Sequence, residues 1–485
     1  MTLGFDDQIN FFEQTALLNG CPGIRWINVP RVGSGQERTD IIIGSIAPAL
    51  MDPPTAEEQE GGLYSPPAPP RIAFEGTYDE AQDFFQQTTL IENCRNCPIA
   101  TWTDGLPIIV PTEEKVTEML TGTSHDPNET IATQIGRISR GNYVEPGAPV
   151  LYTRSYTATV EKAAVCAVMA GCKPEYMPVV LAVAESGGGN TNCPGTSGSG
   201  LEPAFIVSGP ISKEIGMNAG QQAMSYGNHA NMSIGRTGAF MTVNFGGCIT
   251  GLVRTDAGNL NKELCFAEDI DGLPPGWRSL AEESTYALPD GTEANFTEDE
   301  SVIGKWSLGM SVTEIWHSPG STRQILSGNG GGGFSRNIQD QLGIPHDTPG
   351  IYNWLMGLGP AWVKIQKVLG GKTVIMHPNM ALGLYEYGFK DKVDGYEFLS
   401  STYFVTAYEY SVMAWWDFFT DGGSRTESTS GKTYKWLAEN DPDYPIPAFG
   451  SAMSNCFIVA CGFNDELTWY WTSGRPQVVA IDPWR

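Results

Sequence analysis

A short stretch near the middle of the chain concentrates side chains that could act on a substrate. Residues 161–175 hold two thiols, two lysines and two glutamates. A glycine is expected to end one helix there, and Pro174 to begin the next. A helix N-terminus presents unpaired N–H groups and partial positive charge, which would lower the pKa of Cys172 and favour its thiolate. We therefore predict Cys172 as a nucleophile, with Glu175 and Lys162 as proton-transfer groups.

Amide, imidazole and guanidinium groups follow downstream, among glycines and methionines. Such groups hold carboxylates and oxyanions by directed hydrogen bonds. We predict that Asn218, Asn228 and Arg236 bind the substrate and that His229 transfers protons. The alternative is structural, because Cys172 would then be a core thiol and the amides would cap turns.

Cys94 and Cys97 form a C-x-x-C pair. One turn brings both sulfurs together, which suits a metal ion, a reversible disulfide or two structural thiols. A zinc site needs a second pair of ligands, which only the fold could bring from Cys193 or from Cys456 and Cys461. All three interpretations stay open, and a metal ion at this pair is the one cofactor that the sequence leaves open.

The sequence contains no complete nucleotide-binding motif and no complete histidine metal-binding motif. Residues 328–333 match G-x-G-x-x-G but follow a predicted helix, where a dinucleotide site needs a strand. The Gly-Lys-Thr triplets at 371–373 and 431–433 lack the earlier glycine of a P-loop. The five histidines form no H-E-x-x-H motif. The sequence therefore predicts neither a nucleotide site nor a histidine-rich metal centre.

The chain is strongly acidic, with 55 Asp and Glu against 29 Lys and Arg and a formal net charge of −26. Proteins that bind phosphate backbones need clustered Lys and Arg side chains, so we expect no nucleic acid and no anionic membrane as partner. No apolar run reaches the roughly 18 residues of a membrane span, and no secretory signal is recognisable. We expect a soluble, cytoplasmic protein without a disulfide framework.

Helix and strand patterns alternate, which predicts an α/β fold with several α/β subdomains or two related lobes with mixed sheets. We predict a partial α/β segment at 1–50, a Pro-rich acidic linker at 51–72, a central α/β domain with the candidate site at 73–265 and a C-terminal α/β domain at 266–485. The first segment is expected to begin on a helix at 6–18, with no strand before it.

Capping residues predict several helix ends. Thr112 and Thr159 are expected to be N-caps, and Gly171 is expected to end the helix that Thr159 begins. Residues 396–419 are rich in aromatic side chains and are predicted to form one long helical region.

A family resemblance is carried by the motifs Thr103–Pro107 with Pro111-Thr112, Thr159–Lys162, Ala167–Cys172, Pro174–Tyr176 with Pro178–Leu181, Gly209-Pro210, Glu214–Asn218 and Ile234–Arg236. Through them, residues from about 20 to about 330 resemble the UGSC family of (seleno)proteins, which is named for a Sec/Cys-Gly-Ser-Cys motif near the N-terminus. The resemblance implies a redox-active or nucleophilic Cys or Sec. We add Asp104, within the first motif, to the predicted substrate-binding residues.

Two departures from the family pattern shape the functional prediction. The Cys-Gly-Ser-Cys motif is absent, and residues 199–203 replace an expected Thr-Thr-His-Pro-like segment. We therefore predict a subunit of a thiol-dependent enzyme, of reductase or lyase type, that acts on a small polar substrate. A short companion chain carrying the Cys/Sec motif would complete its site. The alternatives are a metal-binding or non-catalytic scaffold subunit, or a disulfide-exchange protein, each using Cys94 and Cys97.

Overall fold

The computed structural model describes residues 2–5, 16, 23, 25–30, 34–53, 55–56, 71–86, 88–91, 97–139, 142–152, 157–187, 202–246, 264–308, 314–316, 371–386, 388–402, 404–413, 426–427, 429–447, 449–461, 468–471 and 474–485. Several predictions concern residues outside these ranges. They include nearly all of the helix at 6–18, most of the linker at 51–72, the thiols of Cys94 and Cys193, and the glycine cluster at 328–333.

Helices and strands alternate along the chain, which confirms the predicted α/β class. The strands are β1 (Thr2–Phe5), β2 (Trp26–Val29), β3 (Thr88–Ile91), β4 (Cys97–Ala100), β5 (Arg137–Ser139), β6 (Asn142–Val144), β7 (Glu202–Ser208), β8 (Leu264–Ala267), β9 (Thr285–Ala287), β10 (Glu293–Asn295), β11 (Val302–Leu308), β12 (Glu314–Trp316), β13 (Thr373–Met376), β14 (Phe404–Thr406), β15 (Pro445–Pro447), β16 (Cys456–Val459), β17 (Thr468–Trp471) and β18 (Gln477–Ala480). The helices are α1 (Gly35–Met51), α2 (Tyr78–Phe85), α3 (Glu113–Leu120), α4 (Val160–Ala170), α5 (Met177–Glu185), α6 (Ile211–Glu214), α7 (His229–Asn244), α8 (Leu280–Glu283), α9 (Pro378–Glu386), α10 (Lys392–Thr402), α11 (Ala407–Met413) and α12 (Tyr434–Asn440).

Two mixed four-stranded sheets lie at the centre of the described residues. The first has the order β18-β11-β7-β8, with β7 antiparallel to β11 and parallel to β8. Its longest register runs from Val302 opposite Ser208 to Leu308 opposite Glu202. The second sheet has the order β12-β17-β13-β16, with β13 parallel to β16 and antiparallel to β17. The other sheets of the described residues have two strands each.

The helices α4, α5 and α7 form a core against the first sheet. All nine residues of α5 are buried, as expected for a helix that is apolar on every side. Small residues on α7 let it approach the sheet closely, since a Cβ added at Gly238 would lie 2.7 Å from the ring of Phe205. This packing fixes the position of α7, whose N-terminal half carries several of the predicted site residues.

The two central sheets are joined by backbone and side-chain hydrogen bonds. The Asp269 amide donates to the Val459 carbonyl at 2.8 Å, and the Trp306 indole donates to the Thr373 hydroxyl at 2.7 Å. Between the sheets lies an apolar cluster that includes Ile206, Phe266, Ile375 and Ile458. The end of β8 is therefore held against β16, which matters for the charges described below.

The predicted caps are confirmed. The hydroxyls of Thr112 and Thr159 accept hydrogen bonds from the backbone amides of Lys115 and Lys162. Gly171 closes α4 with a φ of 85°, a left-handed conformation that glycine adopts without strain.

Two element predictions were wrong. The chain does not begin on a helix, because β1 precedes that region and pairs in parallel with β2. The region 396–419 is not one helix either, because β14 separates α10 from α11. The β-branched residues of β14 pair antiparallel with β15, and this pairing outweighs the local helical pattern. None of the helices within the described ranges is both long and apolar enough to cross a bilayer.

Candidate functional site

The helix α7 presents one polar side to the break between α4 and α5. Asn228 caps it, since its side-chain oxygen accepts from the Asn231 amide at 2.9 Å. His229, Ser233 and Thr237 follow at four-residue spacing and therefore share one side of the helix. The hydroxyls of Ser233 and Thr237 each donate to the carbonyl four residues earlier. This side faces Cys172.

Cys172 is buried beside α7, with its sulfur 3.2 Å from the Thr237 hydroxyl oxygen. Burial raises the pKa of its thiol to about 11, although Thr237 and Ser233 oppose the shift. The predicted lowering of this pKa was wrong. The chain after Cys172 first forms a 3-10 turn at Pro174–Tyr176, and desolvation of the sulfur outweighs any favourable dipole there.

The same pattern holds for the other thiols whose side chains are described. Burial raises the pKa of Cys166, Cys456 and Cys461 to about 12 and raises that of Cys265 as well. A thiol with such a pKa is protonated at neutral pH and is a poor nucleophile. The described part of the chain therefore offers no ready thiolate.

Tyr176, four residues after Cys172 in the chain, meets His229. The phenolic oxygen lies 3.3 Å from His229 Nδ1. Burial raises the pKa of Tyr176, and the charge of Glu175 raises it further. Tyr176 therefore stays protonated at neutral pH and can donate to the imidazole. Sequence analysis selected His229 but not Tyr176, because a tyrosine in an apolar helix start resembles an ordinary core residue.

Glu175 and Lys162, two of the three predicted proton carriers, lie apart from each other. Glu175 is exposed, 3.8 Å from the Lys173 ammonium group, and lies close to Tyr176 in the chain. Lys162 is exposed in the first turn of α4. It lies about 15 Å along the helix axis from Cys172, which follows the other end of that helix. Lys162 therefore cannot exchange a proton directly with Cys172.

Asp104 and Arg236 bind each other. Arg236 Nε and Nη2 donate to the two Asp104 carboxylate oxygens at 2.8 and 2.9 Å, and Nη2 also donates to the Pro107 carbonyl. The guanidinium group stacks over the Phe240 ring at 5.0 Å. This bidentate pair fixes the Thr103–Pro107 loop against α7. A substrate that binds Asp104 or Arg236 would have to share that side chain with the ion pair.

The predicted amides also hold the chain together. Asn218 donates from its side chain to the Gln221 carbonyl and accepts from the Gly220 amide. Asn228 donates to the Gly216 carbonyl at 2.9 Å in addition to capping α7. These contacts build the loop before α7, as the structural alternative predicted, and the assignment of both amides to substrate binding stays a prediction.

The metal prediction at the C-x-x-C pair is not tested by the structure. Cys94 lies outside the described residues, and Cys97 is the first residue of β4, where only the backbone is described. Within the described ranges, no three His, Cys, Asp or Glu residues form a group that could hold a metal ion.

A buried charge cluster was missed by sequence analysis. Glu268 follows β8 and accepts from the Ser208 hydroxyl and the Leu280 amide, both at 2.7 Å. Lys392 lies 3.2 Å from Glu268 and 3.6 Å from Glu283, and all three side chains are at most 2% exposed. Burial alone would lower the pKa of Lys392, but the two carboxylates outweigh it and raise the pKa.

The cluster is completed by Tyr396, whose hydroxyl donates to Glu283 at 3.0 Å and accepts from the Phe457 amide. Burial raises the pKa of Glu283, while Lys392 and Arg475 oppose the shift. The only signal in the sequence was Glu268, an acid directly after an apolar strand. Lys392 sits among charged residues that resemble a solvated surface.

Comparisons with known proteins give no further guide to the site. Searches with protein-family models, among curated proteins and among solved structures each found no match to this chain.

Proposed function

We propose that this chain is a subunit of a thiol-dependent enzyme, of reductase or lyase type, that acts on a small polar substrate. The observation that carries the proposal is the 3.3 Å contact between His229 and Tyr176, which follows the buried Cys172 by four residues. A phenol and an imidazole in contact can pass a proton to or from a reacting group.

The nucleophile in this proposal comes from a short companion chain that carries the Cys/Sec-Gly-Ser-Cys motif. The raised pKa of Cys172 supports this choice over Cys172 itself, because a protonated, buried thiol attacks slowly. The resemblance to the UGSC family supplies the motif, and kinship with that family is part of the proposal. A cytoplasmic location also belongs to it, since that compartment keeps thiols reduced.

Residues of this chain take three roles in the proposed site. Tyr176 and His229 exchange the proton, and the exposed Glu175 relays it to solvent. Asn218, Asn228 and the Asp104–Arg236 pair position the loops that would receive the substrate. Lys162 lies too far from Cys172 for direct transfer and would act only on a group bound at the other end of α4.

The proposal is tested by isolating the chain from its source and recording native mass spectra. A second, short polypeptide with the motif should be present in a fixed ratio. The rate at which iodoacetamide alkylates its thiol should vary with pH, and His229→Gln should shift that profile. His125→Gln is the matched control, because His125 contacts Glu129 and the Pro483 carbonyl instead. A chain that is homomeric and carries all the activity would refute the companion chain.

A further inference from the structure

A cavity of about 490 Å³, whose lining does not include Cys172, lies between β5, α8, β9 and the segment that leads into β18. Apolar side chains form part of its wall, including Ile138, Leu280 and Val478. Its polar lining includes two guanidinium groups, Arg137 and Arg475. The carboxylates of Glu283 and Glu293 also line it. The cavity therefore combines an apolar surface with a few charged groups, which is the composition of many small-molecule sites.

Both guanidinium groups have unused donors inside the protein. Arg137 Nε, Arg475 Nε and Arg475 Nη2 are buried and have no hydrogen-bond partner among the described residues. A guanidinium group cannot lose its proton in a protein, so these N–H groups remain charged donors. Buried donors without a partner are rare because each one costs free energy, and they indicate a missing partner.

Contacts within the chain hold Arg475 in place. Its guanidinium carbon lies 5.3 Å from the centre of the Tyr396 ring. Its Nη1 donates to the Glu283 carbonyl oxygen at 3.4 Å, and Nη2 lies 3.8 Å from the Glu283 carboxylate. That carboxylate accepts from Tyr396 and lies beside Lys392, and at 3.8 Å it forms an ion pair but no hydrogen bond with Nη2, so Nε and Nη2 have no acceptor among the described residues.

Charged groups of both signs surround Arg137. Lys305 is buried, and burial together with the charge of Arg137 lowers its pKa to about 8. The nearby Glu185 carboxylate accepts hydrogen bonds from the Gln134 amide and the Trp484 indole. Burial raises the pKa of Glu185 to about 7, so it supplies only part of a negative charge at neutral pH. Glu293, also at the cavity, accepts from the Thr285 hydroxyl at 2.6 Å.

We propose that this cavity binds a small organic molecule through an oxyanion group, a carboxylate or a phosphate, which accepts hydrogen bonds from Arg137 and Arg475. Planar guanidinium groups match the oxygens of such anions. The apolar wall receives the aliphatic part of the ligand. The site is independent of the thiol chemistry proposed at Tyr176 and His229, because it shares no residue with that site.

Isothermal titration calorimetry of the full chain tests this site, with acetate, propionate, butyrate and inorganic phosphate as probes. If the ligand is a carboxylic acid, affinity rises roughly fourfold with each added methylene that the wall covers. If the ligand is phosphorylated, inorganic phosphate binds more tightly than acetate. Either pattern supports the oxyanion site, and the difference between the two patterns shows whether the ligand's anionic group is a carboxylate or a phosphate.

Arg475→Gln and Arg137→Gln should each weaken binding by at least about tenfold, since each removes a charged hydrogen-bond donor. Arg71→Gln is the matched control and should leave affinity unchanged, because Arg71 is exposed and pairs with Glu113 and Glu161. Thermal unfolding with and without ligand checks that each variant is folded. Absence of binding by every probe to the unsubstituted chain, or equal affinity in all three variants, would overturn the proposal and leave water as the partner of both arginines.

Discussion

Replacement of Lys392 by methionine isolates the energetic role of the buried charge cluster. The ammonium group lies between the carboxylates of Glu268 and Glu283, with no exposed surface of its own. Methionine keeps most of the volume but leaves two buried acids without their shared cation. Removing one partner of a buried ion pair costs about 3–5 kcal/mol. We expect a loss of this size in the free energy of unfolding.

The loss should grow with pH. Burial already raises the pKa of the Glu283 carboxyl in the folded protein, and loss of the cation that opposes this shift raises it further. Such a group keeps its contribution to stability below the unfolded pKa and loses it as pH rises through the folded pKa. The variant should therefore be closer to the unsubstituted protein at pH 5 than at pH 8.

Urea unfolding followed by circular dichroism at both pH values measures this effect. Lys213→Met is the matched control, because Lys213 forms an ion pair with Asp271 at 2.7 Å while both side chains are exposed. An exposed pair contributes less than about 1 kcal/mol. Equal losses for the two variants, or a Lys392→Met loss that shrinks as pH rises, would refute the account of the cluster.

Three further predictions concern separate parts of the chain. The raised pKa of about 7 makes ionisation of the buried Glu185 carboxyl costly, so the unsubstituted protein should lose stability between pH 5 and pH 8. Glu185→Gln should remove this loss, so that the stability of the variant relative to the unsubstituted protein rises by up to about 3 kcal/mol from pH 5 to pH 8. Thermal melts at the two pH values measure the difference, and a parallel pH dependence in both proteins would contradict the prediction. Gly238→Ala should destabilise the packing of α7 by about 1–3 kcal/mol, since the new Cβ would meet the ring of Phe205 at 2.7 Å, and an unchanged urea midpoint would show that this contact relaxes freely. If the C-x-x-C pair holds a metal, plasma emission spectroscopy on pure protein should find the metal in stoichiometric amount, and the Cys94→Ser/Cys97→Ser variant should lack it. A reducible disulfide between Cys94 and Cys97 in mass spectra would instead favour the redox interpretation.

Local rules predicted those parts of the fold that depend on neighbouring residues. Thr112 and Thr159 could be assigned as N-caps because a side-chain oxygen three residues before an amide satisfies it wherever the helix packs. The break in 396–419 could not be predicted, because β14 exists through its pairing with β15, a segment distant in sequence.

In the candidate site too, features set by neighbouring residues could be predicted and features set by distant residues could not. Residues around Cys172 could be selected by type, and the structure brings Thr237 to its sulfur and His229 to Tyr176. The pKa of Cys172 could not be predicted, because it depends on burial between α4 and α7, which the local pattern does not reveal. Arg137 and Arg475 were missed for a similar reason, since only the fold brings these two isolated arginines to one cavity.

Alkylation of the purified assembly with iodoacetamide at pH 7.5, followed by peptide mass spectrometry, tests the central claim most directly. We expect rapid labelling of a thiol or selenol on the companion chain, and labelling of Cys172 only after unfolding in urea. Rapid labelling of Cys172 in the native protein would show that this chain supplies its own thiolate, and it would contradict the proposed division of the site between two chains.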